Sequence, residues 1–230
     1  MQDFLYRGLL TDLRVRFTYA VTTDAANNAV VTHNCDPLSA HLLCRSLSAG
    51  VLASPLLNED ERYNLKWTYH GALKCIVVDV DSQARVRGYI APPNLTDYVT
   101  AEPEIYGESG NVAVTKANPR QILNSGKTMA PLLEVVDDLA YFFAVSDQIE
   151  TAMSVMVAFQ PDDIQPVRLC QGLMLQALPD CDLEEFDRLR HRLSQPQCRD
   201  LLSQRPDVDN YFEHILAAVT GSEEPRPTTP

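Results

Sequence analysis

The chain has 230 residues, 45% of them hydrophobic, enough to bury one large core and a smaller appendage. Its 31 acidic and 19 basic residues leave a net charge of -12, a field that repels phosphate backbones and anionic lipid, so partners of both kinds are excluded. No apolar run approaches the roughly 20 residues of a bilayer-spanning helix, and MQDFLYRGLL at the N-terminus lacks the apolar centre of a secretory leader, which predicts a cytoplasmic protein.

Leu13 to Thr22 alternates Leu13, Val15, Phe17, Tyr19 and Val21 against Arg14, Arg16 and Thr18, the pattern of a half-buried strand. Asp24 to Asn28 reads as a break. Asp36 and Pro37 are placed as N-cap and first residue of a helix running to about Leu57, with Leu38, Leu42, Leu47, Val51 and Leu52 on its apolar side. Arg62 to Asp81 reads as two strands around a turn at His70-Gly71, and Arg85 to Ile90 as a third. Pro92, Pro93 and Pro103 mark a long connection. Gly110–Ala117 and Arg120–Leu123 are expected as a further pair of strands.

Pro131 to Glu150 carries the clearest helical period. Leu132, Val135, Val136, Leu139, Phe142 and Phe143 share one side, and Glu134, Asp137, Asp138 and Tyr141 the other. Strands follow at Thr151–Phe159 and Arg168–Leu178, the second with Gly172 at its centre, which suggests a close backbone approach. Asp182-x-x-Glu185 resembles a capping box before Leu183, Phe186, Leu189 and Leu193. Pro196 punctuates. Pro206 opens a last helix with Val208, Tyr211, Phe212, Ile215, Leu216 and Val219 on one side and Gly221 as its stop. The tail SEEPRPTTP has no apolar residue and is expected to be disordered. Strands first, then a helix, two strands and a helical end make an α+β fold, not a βαβ series. The expected divisions are a core over 1–181, a helical segment over 182–220 and a tail over 221–230.

Few residues assemble chemistry. Asn124 to Thr128 holds the Gly-Lys-Thr ending of a phosphate loop, but Gln121 stands where the first glycine belongs, so the stretch reads as a polar turn. His33, Cys35, His41 and Cys44 cluster in sequence, yet two lie in a loop and two on a helix, so packing explains them better than zinc. Glu134, Asp137, Asp138 and Asp147 read as a solvated helix face, and no G-x-S-x-G elbow occurs, so no catalytic residue is assigned and no enzyme is expected. Phe142, Phe143, Met153, Met156 and Met174 are large adaptable apolar groups that suit a core and equally suit a surface accepting many partners.

Three stretches together resemble the heat shock protein 33 family of redox-regulated bacterial chaperones: Asp137–Glu150 (DDLAYFFAVSDQIE), Gly172–Asp180 (GLMLQALPD) with Phe186–Leu189 (FDRL), and, more weakly, Ala49–Leu57 with YNLKWTYHGALKCIVVDVD and ARVRGYI. The resemblance spans most of Leu13 to Leu216 in the same order. It implies packed sheets flanked by helices, a helical C-terminal segment that covers or forms a client surface, and ATP-independent holding of unfolded or partly folded proteins under stress. It also implies a homodimer. The expected client-contacting residues are Phe142, Phe143, Met153, Met156, Met174, Tyr211 and Phe212. That family binds zinc through C-x-C and C-x-x-C pairs in a C-terminal module, whereas Cys35, Cys44, Cys75, Cys170, Cys181 and Cys198 form neither pair. The chain is therefore expected without a cofactor and without the thiolate switch, as a core-only member or as a piece cut before that module. A non-chaperone interaction or regulatory protein on the same core is the alternative.

Overall fold

The computed structural model describes residues 2–206, 211–221 and 227–228. Ten strands form two antiparallel sheets. In chain order they are β1 (Phe4–Leu10), β2 (Val15–Val21), β3 (Arg62–Tyr69), β4 (Cys75–Asp81), β5 (Val86–Ala91), β6 (Gly110–Ala117), β7 (Ile122–Met129), β8 (Thr151–Phe159), β9 (Val167–Ala177) and β10 (Pro227–Thr228). The first sheet has the order β10-β1-β2-β9-β8, the second β5-β4-β3-β6-β7. The helices are α1 (Thr23–His33), α2 (Pro37–Ala53), α3 (Pro103–Tyr106), α4 (Val135–Ser146), α5 (Leu183–Ser194), α6 (Pro196–Leu202) and α7 (Tyr211–Thr220). The α+β class expected from the element order holds.

The molecule stacks in four layers. The second sheet turns Tyr63, Leu65, Trp67, Ile76 and Val78 onto α2 and α4, and the near face of the first sheet meets those helices with Met153, Val155, Cys170 and Met174. The far face of the first sheet is covered by α5, α6 and α7. Helix α2 touches both sheets. A Cβ on Gly50 would lie 2.9 Å from Val78 Cγ1, and one on Gly172 of β9 would lie 3.0 Å from Leu52 Cδ1, so small residues set both approaches. Asp36 caps α2 as expected, its carboxylate accepting from the Ser39 amide at 2.7 Å.

Several elements differ from the sequence expectation. Thr23–His33 is a helix, not a break. Its first free amides are capped from a distance by Asp3, whose carboxylate accepts from Asp24 N at 2.8 Å and Ala25 N at 2.9 Å, while Ala26 and Val30 enter the core. Strand β1 was not expected. The supposed polar turn at Asn124–Thr128 is the body of β7, extended by its pairing to β6, with Gly126 opposite Val114. Helix α4 begins at Val135, not at Pro131, because Glu134 is the N-cap and accepts from the amides of Val136 and Asp137. Pro196 separates α5 from α6 and stands at the first position of α6. In the tail, Pro227 and Thr228 pair with Leu10 and Leu9 of β1, correcting the expectation of disorder at those two positions. The rest of the tail, and Val208, lie outside the described residues.

Candidate functional site

The far face of the first sheet is an apolar surface covered by a separate stretch of chain, α5 to α7. Alternation along β2 brings Val15, Phe17, Tyr19 and Val21 to this face, and β9 adds Leu173 and Leu175. The cover lays Phe186, Leu189 and Leu193 of α5, Leu202 of α6, and Ile215, Leu216 and Val219 of α7 across them. Burying each such side chain is worth about 2 kcal/mol relative to exposure. Phe212 of α7 packs its ring 5.2 Å from Phe17, 5.3 Å from Tyr19 and 5.9 Å from Tyr6.

The cover is also held by polar contacts. Asp182 caps α5, accepting from Glu184 N at 2.9 Å. Arg192 of α5 donates to the Thr220 carbonyl at the end of α7 at 2.9 Å, and Gly221 leaves the helix with φ +70. Arg190 pairs with Glu150 at the start of β8. At the centre, the Tyr19 hydroxyl donates to Gln171 Oε1 at 2.6 Å. Gln171 Nε2 faces the carbonyls of Leu202 and Gln204 at 2.6 and 2.8 Å, and Tyr211 Oη at 2.7 Å. The Tyr211 hydroxyl donates onward to the Leu201 carbonyl at 2.6 Å. Burial pushes the Tyr211 phenol up to about 12, and that of Tyr19 higher, so both act as neutral donors.

The residues singled out from sequence divide between the two cores. Phe142, Phe143, Met153 and Met174 lie buried in the inner core between the sheets, where Phe142 and Phe143 meet edge to face at 5.8 Å. Their side chains are enclosed by α2, α4 and the two sheets. Tyr211, Phe212 and Met156 belong to the covered far face, Tyr211 buried and the other two half-buried. The residues that sequence reading did not single out are Phe17, Tyr19 and Gln171. The alternation of Leu13–Thr22 signalled the first two; a lone glutamine in an apolar strand gave the third no distinguishing pattern.

The other candidates resolve differently. Asp138 is fully buried rather than solvated, accepting from the Tyr69 hydroxyl at 2.8 Å and from the amides of Leu132 and Glu134. Burial raises its carboxyl, against the pull of those three donors. Glu134 pairs with Arg45 at 2.7 Å. The Gly126-Lys127-Thr128 stretch lies in an edge strand and forms no phosphate cradle. His33 meets the Gly88 carbonyl through Nε2 at 2.9 Å, His41 packs on Phe159, and Cys44 is buried against Cys170. Among the described residues no three His, Cys, Asp or Glu side chains are grouped to hold a metal ion. The thiols present do not fit a four-thiolate zinc site. Among the described residues no helix is long and apolar enough to cross a membrane.

Comparison with known proteins gives one consistent result. The sequence model of the Hsp33 protein family matches residues 3–229. The 33 kDa chaperonin of Clostridium acetobutylicum is 31% identical over 223 residues, which are 94% of this chain and 74% of that protein. The 33 kDa chaperonin of Bacillus licheniformis is 28% identical over 226 residues, 96% of this chain and 76% of that protein. The crystal structure of the 33 kDa chaperonin (heat shock protein 33 homologue) from Thermotoga maritima superposes with a TM-score of 0.81 at 24% identity, over 98% of this chain and 77% of that one, and shares its fold.

Proposed function

The chain belongs to the Hsp33 family, and from that membership we propose that it is a chaperone that holds unfolded or partly folded chains without ATP. The reading places its client surface on the far face of the first sheet, exposed when α5, α6 and α7 lift away. The observation that carries it is the covered face itself. Aliphatic and aromatic side chains of β2 and β9, with Leu10 of β1 and Ala152 of β8, are sealed by the stretch from α5 to α7, whose described residues contribute to neither the inner core nor the second sheet. Such a surface suits many partners because apolar burial is non-directional. The net charge of -12 would keep a loaded complex in solution.

In this reading nothing in the described residues gates the surface by thiolate chemistry. Burial raises the Cys198 thiol, on the inner side of α6, to about 11, which keeps it protonated and unreactive. Exposure is set instead by the packing and polar contacts of the cover. The test is light scattering of a heat-unfolding client with and without the protein, in nucleotide-free buffer. Amide hydrogen exchange of α5 to α7 is followed over the same temperature range. Suppression of aggregation should rise as those amides lose protection. No suppression at temperatures where the cover exchanges freely would sink the proposal. Capture of one defined partner, with no effect on aggregating clients, would point to the regulatory alternative.

A further inference from the structure

Strand β8 is the last strand of its sheet, and its register identifies which backbone groups are unused. The Ala177 amide donates to the Glu150 carbonyl at 2.9 Å. In an antiparallel ladder bonded and non-bonded pairs alternate, so Ala152, Ser154 and Met156 turn their N–H and C=O groups to β9. Thr151, Met153 and Val155 turn theirs outward. Among the described residues no backbone partner reaches these outward groups.

The outward groups open into a cleft of about 720 Å³. Its floor is the consecutive run Glu150 to Met156, as expected of a strand seen from its edge, since side chains alone would contribute every second residue. That run is about 20 Å of extended chain. One wall is α4, where Ala140 and Ala144, one turn apart, leave room beside the strand. The other wall is Leu193 of α5 and Arg199 of α6. Arg45 and Arg190 in the cleft are paired with Glu134 and Glu150. Arg199 enters no ion pair among the described residues. Asp137 on the opposite wall feels its charge without reaching it. The buried Nε of Arg45 also lacks a partner.

An unpaired strand edge, a wall that dips at Ala140 and Ala144 between Tyr141 and Val145, and a guanidinium without an ion pair together specify a ligand. We propose that this edge takes up an extended segment of a client chain as an added strand beside β8. The segment's backbone pairs with Thr151, Met153 and Val155. Every second side chain is apolar and lies against Ala140 and Ala144, the intervening ones face Leu193, and a carboxylate near one end meets Arg199. The inference rests on the chaperone reading above and adds a second binding mode to it. Main-chain hydrogen bonds are the same for every sequence, so such a site is tolerant of client identity. It is open while α5 to α7 stay in place, so it engages a client before the covered face is exposed.

The test uses a fluorescein-labelled peptide, Glu-Val-Thr-Val-Thr-Val, and the same peptide N-methylated at alternate amides, titrated against the full chain by fluorescence anisotropy. N-methylation removes the pairing donors and keeps every side chain, and it should weaken binding about tenfold or more. Val155→Pro removes an outward N–H that the ladder to β9 does not use but also trims a core side chain, so it is read only in protein whose circular dichroism spectrum is unchanged, where it should cause a loss of similar size. Arg199→Glu should weaken the peptide severalfold, and a lysine in place of the peptide's glutamate should restore it. Equal binding of the two peptides overturns the proposal without reference to any variant. Peptide binding unaffected by a folded Val155→Pro overturns it as well. If the peptide fails to bind while Val155→Pro converts a dimer to a monomer, a second copy occupies the edge and the proposal is wrong. Peptide binding without suppression of client aggregation would keep the edge site and remove the chaperone reading; suppression without edge binding would do the reverse.

Discussion

Gln171 on β9 and Tyr211 on α7 meet at 2.7 Å, Nε2 to Oη, inside a region closed to water on both sides. The glutamine amide is the only side chain of the sheet that bonds both to a strand neighbour, Tyr19, and to the cover among the hydrogen bonds described. Its two hydrogens are shared among three acceptors on the α6–α7 junction. At the centre of the contact, away from the Arg190–Glu150 pair at its rim, the cover is therefore registered on the sheet by one buried amide.

Gln171→Leu keeps the volume and removes every one of these bonds. It takes the acceptor from the Tyr19 hydroxyl and the donor from the Leu202 carbonyl, while the Gln204 carbonyl keeps the Tyr211 hydroxyl at 3.1 Å, at a cost of about 2 kcal/mol to the docking of the cover. Amides of α6 and α7 should exchange faster while those of β3 and β6 keep their protection. The one tryptophan, Trp67, lies between the second sheet and α4, where Nε1 donates to the Val135 carbonyl at 2.8 Å, so its emission should stay unchanged. Aggregation suppression should begin at a lower temperature than in the wild type. A Trp67 shift in step with α7 exchange would contradict the separation of the two cores.

Gly172→Ala should destabilise the whole molecule. The added Cβ would stand 2.7 Å from the Ser154 carbonyl oxygen, 2.9 Å from Val155 Cγ2 and 3.0 Å from Leu52 Cδ1. Two strands and α2 would have to give together, at a cost of about 1–3 kcal/mol. Urea unfolding followed by Trp67 fluorescence measures it, and an unchanged midpoint would refute the crowding.

Asp138→Ala removes the acceptor for the Tyr69 hydroxyl and for the amides of Leu132 and Glu134 at the mouth of α4. One buried and two part-buried donors are then unmatched, and the loss should reach about 3 kcal/mol. The urea midpoint should fall with an unchanged m-value, since the exposed surface on unfolding is the same.

Acid should act through Glu61. Burial pushes its carboxyl up, but the Lys116 ammonium at 2.7 Å and the Asn58 donors outweigh it and hold the group at about 2, against 4.5 for a free glutamate. A carboxyl depressed in the folded state adds stability that is complete above 4.5 and disappears as pH falls towards 2. Lys116→Met should reduce this dependence and lower stability at neutral pH, while at the acid end the two proteins converge. Thermal midpoints across that range would show it; parallel curves would not.

The elements legible in the sequence were those whose pattern is local. The alternation of β2, β3 and β6, the caps of α2 and α5 and the apolar side of α4 follow from residues within one turn or one strand. What was missed depends on distant partners. Asp24 to Asn28 becomes helical because Asp3, just before β1, caps it from 21 to 22 residues away. Asn124 to Thr128 becomes a strand because β6 supplies its ladder. Asp138 could be buried because Tyr69 and the turn before α4 bring donors to it. Met153, Met174, Phe142 and Phe143 share their residue types with a binding surface, and only the second sheet's position makes them core. Gln171 was illegible for the same reason, since its acceptors lie 31 to 40 residues away.

The placement of α2 between the sheets sets how the molecule comes apart. With Gly50 against Val78 and Leu52 against Gly172, neither sheet can separate without uncovering this helix along its length. The cover touches only the outermost face, so it can melt as a subglobal unit while the inner layers remain native. Its opening then exposes a fixed, preformed platform rather than a loosened one. The entropy lost on client binding falls on the client alone.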